Sequence, residues 1–436
     1  MKLYVKIAGL VIAVFGITAC TDFLDVKPES DITSASFWNE AGDAEAYLIG
    51  IYDRLRDVTN NTLYGEDRAD TFDPGFIGPV STAWAQNLLP DNAPSWSSDY
   101  NLIYHLNRLL FEIENLKFSD ADRKNQILAE AHGLRALQYF RLAKVYGDIP
   151  LVLKPIESVN EELLGRSSVQ QVFQQINSDI EASLAAFPEA GFKDKNRISK
   201  PAVYALQADV KLWTAKVLNG GSADLDQALN AISQIESASV TLLPDFRSVF
   251  SSDNKRNDEI IFSIFYDRDE QDAHYGQRLA IWGVDINQAD NFQDMNMTIG
   301  NRARAVYQPS AKLRNLFQQE SGDKREAVSI IHAVFTHADT GQKDTLATVF
   351  NNFRGTWWTD NNDRYYDDDL IMYRYGDIVL MKAEALAAKG QMDQAITELN
   401  KTRNRAGIGD YKGATDQQSV EYEIQQERWR ELNGEL

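Results

Sequence analysis

Residues Ala121 to Leu151 read ADRKNQILAEAHGLRALQYFRLAKVYGDIPL, and this stretch decides the fold class. Apolar and small residues recur at helical spacing from Ala121 to Tyr146, and Gly147 with Pro150 closes the run. Working outward, Ser95 to Leu116 has the same periodicity and joins it through Lys117 to Asp120, which predicts two helices packed antiparallel. A second pair is predicted at about Ser168 to Phe187 and Lys200 to Leu218, and Leu225 to Ile235 begins another. Helical spacing also covers about Phe37 to Arg56, Ile371 to Lys389, Met392 to Asn404 and Ser419 to the end.

Two regions interrupt the pattern. From Asn60 to Pro94 the periodicity disappears among Gly65, Pro74, Gly75, Gly78, Pro79, Pro90 and Pro94. Loops beyond about fifteen residues are usually functional or disordered, and Tyr64, Phe72, Phe76 and Trp84 argue against disorder. Between about Ala238 and Asp369 only Gln308 to Gln318 reads as a helix, and Glu259 to Tyr266 and Leu346 to Phe353 read as short strands. The expected fold class is therefore mainly α: helical hairpins carrying an inserted irregular region with short β-strands. In the tetratricopeptide pattern, a turn glycine lets two helices approach, and small then bulky residues five and nine positions later interlock. Gly390, Ala395 and Leu399 stand at those offsets, and Ala136, Phe140 and Ala143 match the second-helix portion. Any helical hairpin can place small and large residues in this way, and the irregular spacing excludes a strict 34-residue array.

Among the 436 residues, 64 Asp and Glu stand against 44 Lys and Arg, a formal charge of −20 that is the wrong sign for wrapping nucleic acid. The single cysteine, Cys20, excludes an internal disulfide and a zinc site built on several thiolates. Lys2 and Lys6 precede an eleven-residue apolar run, Ile7 to Ile17, too short to span a bilayer but suited to a signal peptide. Ile17, Thr18 and Ala19 before Cys20 resemble a bacterial lipobox, so residues 1–19 read as a signal and Cys20 as the lipid attachment site. The alternative is an ordinary secretory signal with a chance cysteine. A body this acidic is repelled by an anionic membrane surface, so the lipid anchor alone would hold it there.

Several blocks together are more specific. Cys20-Thr21-Asp22-Phe23-Leu24-Asp25 with Pro28 forms the mature start, and Trp96, Tyr100, Ile103 and Asn107 lie on one predicted helix. Ala129-Glu130-Ala131, Arg135-Ala136, Tyr139-Phe140 and Tyr146 to Leu151 follow, then Arg374-Tyr375, Leu380-Met381, Ala383-Glu384-Ala385, Leu399-Asn400, Arg403 and Arg405-Ala406-Gly407. In this order the blocks resemble the SusD/RagB family of outer-membrane nutrient-binding lipoproteins across essentially the whole of residues 20–436, read as a single domain. The resemblance implies a tetratricopeptide-like helical scaffold at about 31–237 and 370–436, with a ligand-binding irregular region at about 60–94 and 238–369. It further implies an outer-membrane, surface-exposed location and a SusC-like TonB-dependent transporter as partner, to which an oligosaccharide or, in some members, a peptide is delivered. Glu427-Arg428, Glu431-Leu432 and Gly434-Glu435 resemble a family motif within which this chain stops, so a fragment or a short member is expected.

No catalytic motif stands out: there is no His-Glu-x2-His, Gly-x-Ser-x-Gly, Gly-x-Gly-x2-Gly or phosphate loop. The histidines at 105, 132, 274, 332 and 337 are scattered and read as surface or hydrogen-bonded residues. The acidic run Asp360 to Asp369 fails the calcium-loop spacing, because Arg364 and Tyr365 occupy positions five and six, and it reads as a solvated turn. Neither a metal nor a cofactor is expected. Sugar binding needs aromatic faces for ring C–H surfaces and planar polar groups for hydroxyls. The Asn60–Pro94 loop supplies Arg68, Asp70, Asp73, Phe76 and Trp84, and the later region supplies Trp282, Arg302, Tyr307, Trp357 and Trp358. Successive strand residues point oppositely, so only one of the last two can face a ligand. We expect Trp84 and Trp282 to stack on sugar rings and Asp70 and Arg302 to bind hydroxyls, with plain packing as the competing account of each tryptophan. Trp96, Trp213 and Trp429 sit on helical faces and read as packing residues. The function expected is non-enzymatic oligosaccharide capture; a protein-binding scaffold, a peptide-binding member and a hydrolase with an unrecognised carboxylate pair are the alternatives.

Overall fold

The computed structural model describes residues 37–62, 65–158, 160–161, 163–270, 273–300 and 305–435. Cys20, the signal segment and Arg302 lie outside the described residues. Twelve helices are found among them: α1 Ala41–Thr59, α2 Ser97–Glu112, α3 Ala121–Tyr146, α4 Val169–Ala186, α5 Lys200–Val217, α6 Gly221–Glu236, α7 Gly276–Leu279, α8 Ala311–Gln318, α9 Glu326–Ser329, α10 Tyr375–Ala388, α11 Met392–Ala406 and α12 Gln417–Leu432. Local chemistry sets their starts. Asp120 accepts from Asp122 N and Arg123 N ahead of α3, Ser168 and Gln171 form a capping box on α4, and Ser310 caps α8. Gly147, at φ 66°, ends α3 where a side chain would be strained.

The long helix chooses a different principal partner from the one its spacing predicted. α3 does contact α2, but its most extensive packing is against α4, and α5 pairs chiefly with α6. The reason lies in Gly133, midway along α3: a Cβ there would come within 3.0 Å of Val203, 3.1 Å of Ile198 and 3.1 Å of Ser183. The missing side chain lets α4 and α5 approach the middle of α3. The predicted α10–α11 hairpin forms as expected, with Gly390 at φ 79° in its turn and Ala395 and Leu399 fully buried.

Ten short strands make five separate two-stranded pairs among the described residues: β1 Phe72–Pro74 with β5 Tyr307–Pro309, β2 Ile260–Ile264 with β10 Leu370–Arg374, β3 Ile281–Trp282 with β4 Met297–Thr298, β6 Ile330–Thr336 with β7 Lys343–Phe350, and β8 Thr356–Trp358 with β9 Asp363–Tyr365. The strand β6 is not among the expected strands; it forms by antiparallel pairing with β7. The architecture is thus mainly helical, of tetratricopeptide type, with few short strands.

The acidic run is the clearest departure. It divides in two: residues 359–362 form an exposed turn, as read, whereas Asp367, Asp368 and Asp369 are all nearly inaccessible. Asp369 accepts from Asn196 Nδ2 at 2.7 Å and Tyr266 N at 3.2 Å, Trp358 Nε1 donates to Asp367 at 3.4 Å, and His274 Nε2 lies 3.3 Å from Asp368. Donors reach Asp369 and one oxygen of Asp367, which a count of neighbouring acids cannot reveal, whereas neither oxygen of Asp368 has a hydrogen-bond partner among the described residues. The histidines are hydrogen-bonded as read: His105 to Tyr47, His132 to Asp179, His332 to Thr348 and His337 to Asp344.

An ionic network ties α12 to the rest. Arg374 is 1% exposed and its guanidinium reaches Glu259 at 2.8 Å, Glu431 at 2.6 Å and Glu435 at 2.7 Å. Arg325 meets Glu427 at 2.7 Å and the other oxygen of Glu431 at 2.9 Å, and Arg405 also pairs with Glu431. Burial pushes the Glu431 carboxyl up, but Arg405, Arg374 and Arg325 outweigh it and hold it down at about 2.

Candidate functional site

The β1–β5 pair joins the two irregular regions. Phe72 pairs with Pro309, Asp73 with Gln308 and Pro74 with Tyr307, so the 60–94 loop is registered against the segment leading into α8. Side chains then lock the joint. Phe72 stacks on Tyr307 with centroids 4.6 Å apart, Ser310 Oγ donates to Asp70 O at 2.5 Å, and Ser310 N donates to Thr71 O at 2.9 Å. Tyr307 is buried and belongs to the core.

Beside this joint lies a cleft of about 320 Å³, at the small end of ligand-binding cavities, lined by residues 67–70, 72–73, 83–84, 86 and 310–312. Trp84 is half-buried in its wall and packs in part against the main core, with Nε1 donating to Phe72 O at 2.9 Å, which consumes the indole N–H. Asp70 is exposed and accepts from Lys312 Nζ at 2.7 Å. Asp73 accepts from Ala311 N at 3.0 Å, at the N-terminus of α8, where the helix dipole favours a carboxylate. Asp67 is buried and accepts from Thr62 Oγ1 at 2.5 Å. Gln86 completes the wall in the left-handed region, φ 54°, a conformation uncommon for a residue with a side chain. The hydrogen bonds Gln86 N to Ala83 O at 3.2 Å and Asn87 N to Thr82 O at 2.9 Å hold that turn.

The floor of the loop is fixed from the far end of the chain. Glu66 opens the turn Glu66–Arg68 and accepts from Gly434 N at 2.6 Å, and Trp429 Nε1 donates to Thr71 Oγ1 at 2.9 Å. Burial pushes the Glu66 carboxyl up to about 7, against the opposing pull of its hydrogen bonds to Thr71 and Gly434.

The structure therefore brings Asp70 and Trp84 into one cleft. Trp282 does not line it; that residue lies on β3, with Nε1 donating to Ile299 O at 3.1 Å. Trp357 and Trp358 part as strand neighbours do: Trp357 packs on the smaller core around Ile281 and Val349, while the guanidinium of Arg268 sits 4.2 Å from the Trp358 ring centroid. Lys312 and Gln86 were not expected. Lys312 follows the helix cap Ser310, and only the β1–β5 register puts it opposite Asp70. For Gln86 the sequence carries no signal. A second cavity of about 320 Å³ lies against α3, α10 and α12, but its charged groups pair with one another, as in Asp377 with Arg428 at 2.9 Å and Arg374 with Glu435 at 2.7 Å. Among the described residues no group of three or more His, Cys, Asp or Glu could hold a metal ion.

Comparison with known proteins gives a consistent picture. Residues 22–212 match a family model described as starch-binding associating with outer membrane, and residues 337–436 match that of the SusD family. A SusD-like protein of Formosa agariphila is 26% identical over 99% of this chain and 89% of its own length. The starch-binding protein SusD of Bacteroides thetaiotaomicron is 22% identical over 90% of this chain and 81% of its own. Among solved structures, NanU of B. fragilis superposes with a TM-score of 0.81 at 26% identity, covering 94% of this chain and 90% of that one. A SusD superfamily protein of Bacteroides fragilis superposes at 0.80, also 26% identical, over 92% of this chain and 87% of that one.

Proposed function

This chain belongs to the SusD/RagB family of carbohydrate-binding, non-catalytic proteins associated with the outer membrane, and from that premise we propose that it captures an oligosaccharide in the cleft beside β1 and β5 and hands it to a TonB-dependent transporter. A lipid on Cys20 is the proposed anchor, at the cell surface. The observation that carries the reading is the lining of the cleft: an indole face, Trp84, beside the planar or charged groups of Arg68, Asp70, Gln86 and Lys312. Apolar ring faces take the C–H surface of a pyranose, and amide, carboxylate and cationic groups take its hydroxyls. Trp84 and Asp70 are the residues proposed to touch the sugar first. Trp282 is retained as a separate contact outside this cleft, and Arg302 as a further donor.

The test is a glycan array followed by calorimetric titration of the hits, on wild type and on Trp84→Ala and Asp70→Ala. Each substitution is expected to weaken binding by about tenfold or more, with the bound oligosaccharide recovered unchanged. Affinity untouched by both substitutions would exclude this cleft as the site.

A further inference from the structure

Resting on the reading of the cleft as a glycan site, we propose that its ligand carries a carboxylate, as a uronate-type sugar does, and that Arg68 selects for it. The charged groups of the cleft divide sharply by how they are engaged. Asp67 is turned inward to Thr62, Asp73 is held by the first N–H of α8, and Asp70 and Lys312 neutralise each other at 2.7 Å. Arg68 is exposed on the cleft wall and has no hydrogen-bond or ion-pair partner among the described residues.

Its backbone is nevertheless fixed. The residues immediately before it, Glu66 and Asp67, are bonded to Gly434 N and Thr62, so the guanidinium extends from an anchored turn. A guanidinium presents a planar fork of donors that matches a carboxylate in a paired, charge-assisted geometry, and a neutral hydroxyl uses only part of it. The body as a whole is acidic, at −20, and repels an anionic ligand at long range. Discrimination must therefore arise at contact, and it is best read at about 0.15 M salt, where the Debye length is about 8 Å.

The experiment compares matched ligands on the full chain: uronate oligosaccharides, such as oligogalacturonates and oligomannuronates, against their methyl esters, together with neutral oligosaccharides. The methyl ester keeps the ring and linkage and removes only the charge. At least one uronate oligosaccharide is expected to bind roughly tenfold or more tightly than its ester, the loss typical of a charged hydrogen-bond partner. Arg68→Gln should bring that ligand level with its ester, weakening the acid far more than the ester and leaving the melting temperature unchanged, and Arg68→Lys should restore only part of the preference. Neutral oligosaccharides bound as tightly as any uronate, or a uniform loss for acid and ester in Arg68→Gln, would overturn the proposal and leave glycan capture standing. Binding of no saccharide, acidic or neutral, would overturn the glycan reading with it.

Discussion

Replacing Glu431 by Gln tests whether the buried ionic network holds this fold together. In the native protein both carboxylate oxygens are used, one by Arg374 at 2.6 Å and by Arg405, the other by Arg325 at 2.9 Å. Gln keeps the shape but loses the charge, and its amide N–H₂ would oppose guanidinium donors. The native carboxyl titrates near 2 against an ordinary 4.5, a difference worth about 3 kcal/mol at neutral pH. Breaking one partner of a buried pair independently suggests about 3–5 kcal/mol. With an unfolding entropy of about 2.1 cal/mol/K per residue over roughly 400 folded residues, that is a fall in Tm of about 4 °C. The sign with pH follows from the depressed native value: the stabilisation is complete above about 4.5 and is lost as pH falls toward about 2. Calorimetric or urea unfolding of both proteins from pH 2 to 8 reads these quantities. Wild type should lose its advantage over Glu431→Gln across the acid limb. A Tm difference below about 1 °C at pH 7, with parallel pH profiles, would refute the claim that the Glu431 charge is needed to compensate the buried guanidinium groups.

Other perturbations separate the roles further. Trp84→Phe keeps an aromatic face but loses the hydrogen bond to Phe72 O, so it should cost about 1 kcal/mol of stability in urea unfolding while glycan affinity stays within threefold of wild type, unlike Trp84→Ala. Glu66→Gln should remove an opposite pH dependence. Because burial raises this carboxyl to about 7 from 4.5, wild type loses up to about 3 kcal/mol as pH rises through that window and the variant does not, so the variant should be the more stable at pH 8. Cys20→Ala, in cell fractionation, should abolish membrane association without altering the circular dichroism spectrum; equal membrane recovery would remove the lipid anchor.

By itself, the sequence determined the elements whose causes are local. The periodicity of Ala121–Tyr146, its closure at Gly147 and Pro150, and the glycine turn at Gly390 lie within a few residues of what they control, so helices and one hairpin were legible. The blocks from Trp96 to Gly407 likewise carried the family, because a family is an ordered set of residues along the chain. Tertiary structure alone decided pairing and enclosure. Gly133 became informative only when Val203 and Ile198 were found against it, and the acids 367–369 were solvated on paper until Asn196, Tyr266, Trp358 and His274 closed around them. The candidate site divides in the same way: Asp70 and Trp84 could be chosen from one aromatic, acidic loop, but Lys312 reaches Asp70 from 242 positions away and Gln86 owes its place to a backbone turn. Helical spacing is written in neighbours along the chain, whereas burial and a cleft wall depend on which distant segment arrives, and that is fixed by packing of the whole core.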